Sequence, residues 1–388
     1  MIRSTDRILV THAGTLPRPA DVTKALYAKA AGAKIDQDAL SRNVRQTVAD
    51  VVRKQAEVGI DSVNDGEISK ANFTFYIRER LGGIALREVD PAKAPPRLDI
   101  SGRDAIELPD YFAAGLGTFA DSKPNQRIFC TGPLEYVGQS ALKADLENFR
   151  AAVDKVNVSE AFLPAITPGT IEHWLNNEHY KDQETFLFAI AEALRPEYKA
   201  IVDAGFLLQI DDPDLPDGWQ MYPQMTVKQY QDYAALRVAA LNHALRDIPR
   251  EKIRLHVCWG SAHGPHVQDI ALQHIIDTIL SVRASSYSIE ASNPRHEHEW
   301  KVFENVKWPK DAVLIPGVIG HCTDVVEHPE LVAQRLVRYA KLVGRENVMA
   351  GTDCGVGSRV GHSAICWAKL KAMAEGARLA TKELWGRN

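Results

Sequence analysis

Two chemically capable side chains stand two positions apart in a short stretch that also holds two further histidines. In RLHVCWGSAHGPH, residues 254–266, His256 and Cys258 belong to an apolar, β-branched run. Side chains at positions i and i+2 of a strand point to the same side, so both would face one site. Taken alone, such a pair is more often a buried cysteine beside a hydrogen-bonded core histidine, because free cysteine commonly behaves as a small hydrophobe.

Two further candidate ligands follow other predicted strands, which strengthens the metal hypothesis. Glu290 lies in SIEAS and Cys354 lies in GTDCG. With His256 and Cys258 they would supply an imidazole, two thiolates and a carboxylate, a set that suits zinc in tetrahedral geometry. Around Zn²⁺ these ligands leave a net negative charge, which disfavours making hydroxide from water and therefore disfavours a hydrolase. Such a site instead favours holding an incoming thiol as its thiolate.

Residues so far apart in sequence need a scaffold that brings strand ends together. Apolar strand candidates alternate with helical patterns along the chain, which is typical of a parallel sheet covered by helices. Eight such units predict an α/β fold, a single (β/α)₈ TIM-like barrel with inserted segments, in which the carboxyl ends of all strands meet on one face. The predicted strands are 8–13, 61–66, 127–132, 206–211, 253–258, 286–291, 313–319 and 347–352, with 162–166 as a ninth candidate.

Three helices can be predicted from apolar periodicity. Gly59 is expected to end the first of them in a left-handed conformation. Pro196 is expected to break or kink the second, because proline removes a helix hydrogen bond. The predicted helices are 37–58, 184–204 and 226–246.

Composition limits the class of protein. The chain has 388 residues, a formal net charge of −4, and 45% hydrophobic and 25% charged residues. It has no basic tract, which gives no case for nucleic acid or an anionic membrane, and no apolar run long enough to span a bilayer. The N-terminus does not resemble a secretion signal. Five scattered cysteines argue against a disulfide framework, so a cytoplasmic location is expected.

The domain organisation is expected to be simple. We predict one domain over residues 1–388, with an insertion at about 88–126, where proline and charged residues are concentrated. The sequence leaves open whether the chain forms a homo-oligomer.

Several motifs together resemble those of cobalamin-independent methionine synthase, in its catalytic barrel. The pattern H-x-C, then I-E-x-S, then D-C-G with an arginine five positions beyond the cysteine is similar to that of the family. GTLPRP resembles its G-S-F-P-x turn, DGE its glycine-glutamate pair, TGPLE its T-G-P-V segment, and LQIDDPDL its I-Q-I-D-E-P-A-L signature. These segments run in the same order from about residue 8 to residue 359, nearly the whole chain.

The resemblance implies roles for particular residues. It makes His256, Cys258, Glu290 and Cys354 zinc ligands, with Glu290 the ligand that leaves or lengthens its bond when the thiol arrives. It also implies a substrate site in which two carboxylates hold the ammonium of homocysteine, the nearest family acceptor, and a turn holds its carboxylate. Charge-assisted hydrogen bonds give that arrangement an independent physical logic. The residues of this second site are Glu67 and Asp211 for the ammonium and Gly14 and Thr15 for the carboxylate.

Without the resemblance, two of these residues have simpler interpretations. Glu67 could equally be an acidic residue at the start of a helix. Asp211 could cap a strand end, although the crowding of carboxylates in IDDPD usually marks function or a metal.

The chain also departs from the long methionine synthases. It has no counterpart of their N-terminal barrel, so whether the donor is a folate, a corrinoid or an epoxide stays open. Asp212 stands where the family has glutamate, and Arg18 follows the turn. The family's histidine after the seventh strand, thought to assist donor protonation, corresponds to His321 or Cys322. The segments HVCWG…GPH and NPRHEHEW resemble a short, single-barrel branch that includes the epoxyalkane:coenzyme M transferases.

Other residues near the predicted strand ends are candidate pocket or anion contacts. Trp259 could stack on a flat donor or only wall the pocket. Arg295 and Arg359 could bind an anionic group or form buried ion pairs. The tract RHEHE, residues 295–299, is interpreted as a solvated helix start. The full set of candidate contacts is Arg18, Trp259, His263, His266, Arg295 and Arg359.

The sequence therefore predicts a zinc-dependent transferase that activates a small thiol and methylates or alkylates it. Epoxide opening by coenzyme M or a related thiol is the rival within the same chemistry. A metal-free enzyme like the uroporphyrinogen decarboxylases and a non-catalytic carrier of a thiol or corrinoid-bound methyl group are the alternatives from other classes.

Overall fold

The computed structural model describes residues 1–90, 98–116, 126–261 and 263–386, and within these ranges the chain alternates strands and helices. The strands are β1 (Leu9–Val10), β2 (Ser62–Val63), β3 (Leu81–Glu88), β4 (Gln126–Tyr136), β5 (Glu160–Ile166), β6 (Leu175–Asn177), β7 (Leu207–Asp211), β8 (Ile253–Val257), β9 (Ser286–Ile289), β10 (Val313–Ile319) and β11 (Met349–Thr352). The α-helices are α1 (Ala20–Ala30), α2 (Gln37–Glu57), α3 (Phe73–Arg80), α4 (Gly102–Glu107), α5 (Pro109–Ala113), α6 (Gln139–Val153), α7 (Pro168–Trp174), α8 (Gln183–Asp203), α9 (Asp214–Met221), α10 (Val227–Ala244), α11 (Ile276–Ser281), α12 (Pro329–Val343) and α13 (Ser363–Trp385).

Eight of the strands form a parallel barrel, which confirms the predicted fold class. Their order is β1-β11-β10-β9-β8-β7-β5-β2, so neighbours in space are neighbours in sequence among these eight. The backbone N–H of Asp61, just before β2, donates to the carbonyl of Val10 in β1 at 2.8 Å and joins the two ends of the sheet. Every carboxyl end of these strands therefore opens on one face.

Two strand predictions need correction. The run 127–132, predicted as a barrel strand, lies in β4, which pairs antiparallel with β3 and parallel with β6 in a separate three-stranded sheet. The third barrel strand is instead β5, which contains the run 162–166. Both runs are apolar and short, so periodicity alone cannot tell which sheet each one joins. A proline inside a run, here Pro164, also argues against a central strand.

The predicted helices are confirmed, with one difference. Helix α2 begins at Asp36, whose side chain accepts from the N–H of Ala39 at 2.9 Å, and Gly59 follows it with φ of 92°. Helix α8 continues through Pro196 and is not broken there. Helix α10 begins with a capping box between Thr226 and Gln229.

The predicted insertion is described only in part. Residues 91–97 and 117–125 lie outside the described ranges, and the described part between them forms α4 and α5. Arg103 of α4 donates to the carbonyls of Trp219 and Met225 at 2.7 Å each, so this part packs on the end of α9. That the segment is an insertion within a single domain stays a prediction. No helix in the described ranges is both long and apolar enough to cross a membrane.

Candidate metal centre and substrate pocket

Three of the four predicted metal ligands meet at the carboxyl end of the barrel. His256 lies in β8, Cys258 directly follows it, and Cys354 follows β11. Their donor atoms all lie within 4.8 Å of one another, and the two sulfur atoms are 3.7 Å apart. His256 and Cys258 point to the same side because they are two positions apart at a strand end. We call these three residues the thiolate cluster.

One nitrogen of the thiolate cluster has no partner. His256 is 2% exposed, and its Nδ1 lies 3.2 Å from the hydroxyl of Ser288. Its Nε2 is buried and has no hydrogen-bond partner among the described residues. A buried polar atom left unpaired is costly. An imidazole that is held through one nitrogen while the other is free has the arrangement of a metal ligand.

The two thiols of this cluster have opposite protonation preferences. The hydrogen bond from Cys258, assisted by His256, lowers the pKa of Cys354 well below its usual value although burial opposes this. The same hydrogen bond, together with burial and the nearby charge of Glu290, raises the pKa of Cys258. The proton of Cys258 therefore lies between two sulfur atoms that are 3.7 Å apart. A divalent cation suits this position because it would replace that proton and stabilise both thiolates. The donor set therefore fits zinc.

The fourth predicted ligand, Glu290, belongs to a neighbouring group. Glu290, His321 and Asp353 also offer donor atoms within 4.8 Å of one another, and all three are buried. The oxygens of Glu290 accept from the backbone N–H of Trp259 at 2.8 Å and from the side-chain amide of Asn293 at 3.0 Å. We call Glu290, His321 and Asp353 the carboxylate cluster.

Asp353 shows how this second cluster differs from the first. Its Oδ1 accepts from the N–H groups of Ala291 and Ser292 at 2.8 Å each, and its Oδ2 accepts from the hydroxyl of Ser292 at 2.6 Å. The carboxylate therefore fastens the chain that follows Glu290. It was not singled out from the sequence, although it precedes Cys354 in the D-C-G motif.

Of the two residues left open after the seventh barrel strand, His321 lies in the carboxylate cluster. Its Nε2 is buried and unpaired within the described part of the chain. Burial opposes its charge, but a hydrogen bond with Cys322 and the charges of Cys354 and Glu290 raise the pKa of His321 to about 10. Cys322 is partly exposed, and its sulfur lies 3.7 Å from the carbonyl of Ser261.

The four predicted substrate contacts lie on the loops after β1 and β2 and at the end of β7. The Glu67 carboxylate accepts a hydrogen bond from the hydroxyl of Thr15, and a Cβ on Gly14 would lie 3.3 Å from the same carboxylate oxygen. Glu67 has φ of 55°, unusual for a residue other than glycine, and it is held there as its N–H donates to Asp65 at 2.9 Å. The turn and the acid are therefore in contact.

Asp211 lies near enough to Glu67 for the charges of the two carboxylates to interact. The side-chain amide of Gln209 donates to it at 2.6 Å. Burial, and then the charges of Glu67 and Cys354, raise the pKa of Asp211 to about 8, with His256 acting in the opposite direction. The nearest cation to Glu67 is the ammonium of Lys70, 4.0 Å away and itself donating to the carbonyl of Pro164 at 2.6 Å. Lys70 offsets part of the charge of Glu67, and Arg254 offsets part of that of Asp211. Two buried carboxylates whose charges interact still favour a cationic ligand group.

The remaining candidate contacts lie on several different loops. Arg18 donates to the carbonyl of Lys70 at 2.8 Å, so it braces the Glu67 loop. Arg295 is exposed and donates to the carbonyl of Val267, and His263 is exposed too. Arg359 is half-buried in the loop after β11. Their roles as pocket or anion contacts stay predictions.

A small cavity of about 20 Å³ lies beside Trp259, and His266 also lines it. The other side chains of its wall are mainly acidic. Trp259 is 1% exposed, and its indole N–H donates to the carbonyl of Ile270 at 2.8 Å. The acidic residues of the wall are Asp104, Asp217 and Asp269.

The interpretation of RHEHE as a solvated helix start was wrong. His296 is 3% exposed, and it stacks on Trp259 with ring centroids 4.0 Å apart. Its partners are Asp269 and Glu299. The sequence signal for this burial was weak: only the i,i+3 spacing of His296 and Glu299 pointed to it, since Asp269 lies 27 positions upstream.

Comparison with known proteins identifies the family. The sequence profile described as "Cobalamin-independent synthase, Catalytic domain" matches residues 107–379, well over half of the chain. The chain belongs to this family. The methionine synthase of Sulfolobus acidocaldarius is 25% identical over 374 residues, which cover 96% of this chain and 91% of that protein. The methionine synthase of Thermococcus kodakarensis is 22% identical over 372 residues, with 96% and 93% covered.

Solved structures agree on the fold. A B12-independent methionine synthase from Shewanella sp. W3-18-1, in complex with selenomethionine, superposes with a TM-score of 0.73 at 20% identity and covers 98% of this chain and 100% of that one. A putative vitamin-B12 independent methionine synthase from Listeria monocytogenes gives a TM-score of 0.65 at 18% identity, with the same coverage. The protein is thus a methyltransferase of the methionine-synthase type, and the family match favours this class over the decarboxylase-like and carrier alternatives.

Proposed function

We propose that this cobalamin-independent synthase family member is a zinc-dependent transferase that methylates or alkylates a small aminothiol. The observation that carries the proposal is the thiolate cluster, with two sulfurs 3.7 Å apart beside a buried, unpaired imidazole nitrogen. In this proposal His256, Cys258 and Cys354 hold the metal. Glu290 is the fourth ligand, the one that yields to the incoming thiol.

Zinc, when bound, would supply the chemistry of lowering the pKa of the acceptor thiol so that its thiolate exists at neutral pH. The chain's own residues set the surroundings of that thiol. Cys258 is buried within the cluster, so bulk water has little access to the sulfur. His256 is fixed in orientation through Ser288.

The acceptor is expected to carry an ammonium group. Glu67 and Asp211 are buried, and the charge of Glu67 raises the pKa of Asp211 after burial itself. An ammonium between them would relieve this repulsion and form charge-assisted hydrogen bonds. A sulfonate such as that of coenzyme M would bring a further negative charge to these carboxylates. Homocysteine, the nearest family acceptor, has the required ammonium, so it is favoured over coenzyme M as the acceptor.

His321 is proposed to move the proton of the reaction. Its imidazole lies in the carboxylate cluster, which favours the protonated form, and the charges of Cys354 and Glu290 add to this preference. A protonated imidazole there can donate to the leaving group of the methyl or alkyl donor as the carbon passes to sulfur. Which donor is used, folate, corrinoid or epoxide, is left to experiment.

The proposal is tested by measuring zinc and thiol binding on the same preparation. Zinc quantification on the purified full-length protein should give one metal ion per chain. Homocysteine, coenzyme M, glutathione and 4-mercaptobutanoic acid are then tested for binding by calorimetry with zinc-loaded and metal-free protein. We expect zinc-dependent binding of homocysteine and much weaker binding of the analogue that lacks the amine. Zinc-loaded protein that binds none of these thiols would contradict the proposal.

A further inference from the structure

His296 is buried between two carboxylates, outside the residues that the proposed function uses. Its Nε2 lies 2.9 Å from Asp269 Oδ2, and its Nδ1 lies 2.9 Å from Glu299 Oε2. Ionised carboxylates only accept hydrogen bonds, so both ring nitrogens must carry a proton for both bonds to form. With both carboxylates ionised, this geometry is that of an imidazolium. Burial opposes that charge, yet the hydrogen bonds that His296 donates to Asp269 and Glu299 raise the pKa of His296 to about 9.

The imidazolium lies flat against an indole. The rings of His296 and Trp259 have centroids 4.0 Å apart and planes inclined by 22°. A cation on the face of a tryptophan is attracted by the negative face of its π-system, and the attraction grows when both groups are buried. Trp259 is held at its edge as well, because its indole N–H donates to the carbonyl of Ile270 at 2.8 Å. The stack therefore holds one face of the Trp259 indole, and the hydrogen bond to Ile270 holds its edge.

The two loops that meet in this stack are the two that hold Glu290. Trp259 follows β8, and its backbone N–H donates to Glu290 Oε2 at 2.8 Å. Asn293 follows β9, and its side-chain amide donates to Glu290 Oε1 at 3.0 Å. His296 itself is tied to Asn293, because its N–H donates to the Asn293 carbonyl at 2.8 Å. His296 therefore joins both donors that fix the Glu290 carboxylate.

We infer that His296 is a positioning residue that sets how firmly Glu290 is held beside the thiolate cluster, and so how strongly the site binds its metal. The inference rests on the proposed function, since it concerns the ligand that is expected to exchange with the thiol. It assigns a role to the buried cluster of Asp269, His296 and Glu299, none of which touches the thiolate cluster itself. Direct hydrogen-bond partners of a ligand typically change metal affinity about 10- to 100-fold when removed, and His296 acts through two such partners of Glu290.

The test uses His296→Gln, with His298→Gln as its matched control. His298 is an exposed histidine two positions away in the same segment. Zinc affinity is measured by chelator competition on the full-length chain, and the cobalt(II)-substituted protein is examined by absorption spectroscopy. We expect His296→Gln to bind zinc about 10- to 100-fold more weakly and to shift the d–d bands of cobalt, while the sulfur-to-cobalt charge-transfer band stays. His298→Gln should match the wild type.

Two results would overturn the inference. One is a His296→Gln protein with wild-type zinc affinity and wild-type cobalt bands. The other is loss of the charge-transfer band together with the d–d shift, because that would show collapse of the whole site. If His296→Gln does not fold, Glu299→Gln is tested by the same zinc-affinity and cobalt measurements. This substitution removes one negative charge beside the imidazolium and leaves the imidazole ring in place. A wild type that binds no zinc defeats the proposed function instead, so the two failures are distinguishable.

Discussion

The thiolate cluster and the carboxylate cluster stand side by side at the barrel mouth, yet their atoms are satisfied very differently. In the thiolate cluster the two sulfurs lie 3.7 Å apart, the hydroxyl of Ser261 donates to Cys354 at 3.6 Å, and the Nε2 of His256 has no partner in the described chain. In the carboxylate cluster, Asp353 accepts three hydrogen bonds, and each oxygen of Glu290 accepts one. Buried polar atoms are normally paired within the protein. The contrast therefore lies between the thiols with His256, which suit an outside ligand, and the paired carboxylates of Asp353 and Glu290, which support it. The Nε2 of His321, in the same cluster as those carboxylates, is unpaired among the described residues as well.

The largest difference should come from removing a thiolate. We expect Cys354→Ser to lose stoichiometric zinc, because a hydroxyl is a much poorer zinc ligand than a thiolate. The loss of affinity should exceed the 10- to 100-fold typical of supporting residues. Metal content after dialysis and chelator competition measure it, with Cys130→Ser, outside the barrel, as the control. If Cys354→Ser kept a full complement of zinc, the assignment of the thiolate cluster as the metal-binding cluster would be contradicted.

A smaller effect is expected on the paired side. Asp353→Asn keeps the size of the side chain and one acceptor oxygen but loses the negative charge that fastens Ala291 and Ser292. Zinc affinity should fall by about 10- to 100-fold, as for other groups that act through a ligand. The same chelator competition measures it. A loss as complete as that of Cys354→Ser would make Asp353 a direct ligand and would contradict our assignment.

Substitution of a proposed substrate-binding carboxylate should weaken binding of the acceptor thiol and leave zinc binding unchanged. Asp211→Asn should raise the KM for homocysteine by about 10-fold or more, since a hydrogen bond to a charged group contributes about 1.5–3 kcal/mol. Zinc content should be unchanged, and 4-mercaptobutanoic acid, which has no amine, should bind equally to both proteins. Equal losses for both thiols would mean that Asp211 does not bind an ammonium.

The smallest effect is a pH dependence of stability on the supporting side. The folded pKa of His296, about 9, lies above the usual value of 6.5, so its protonation stabilises the folded state fully below pH 6.5. This contribution is lost as the pH rises through 9. In metal-free protein, the Tm difference between wild type and His296→Gln should therefore shrink from pH 6.5 to about 10, by a few degrees. His298→Gln should follow the wild type, and a difference independent of pH would argue against a buried imidazolium.

A contact could be predicted from the sequence only where the contacting residues are close in sequence or belong to a recognised motif. The H-x-C spacing predicts that His256 and Cys258 face one side, since strands have a period of two. Alternation of strands and helices predicted the barrel, and the barrel explains why Cys354 is near Cys258. The site roles themselves stay predictions.

Other features depended on contacts that spacing does not encode. The burial of His296 requires Asp269, from a different loop, and a solvated helix start was the wrong interpretation for that reason. β5 contains Pro164, and a proline argues against a central strand, yet β5 pairs with both β2 and β7. The Glu290 carboxylate lies with His321 and Asp353 and not with the thiols. This placement depends on the geometry of the loops after the strands, which spacing in the sequence does not encode.

The central claim is that this site activates a thiol through a zinc held by two cysteines. X-ray absorption at the zinc edge tests it most directly, on wild-type protein before and after homocysteine is added. The account predicts two sulfur neighbours with one nitrogen and one oxygen at rest, and three sulfur neighbours with loss of the oxygen once the thiol binds. An unchanged zinc environment at saturating homocysteine, and with every other thiol tested, would contradict it.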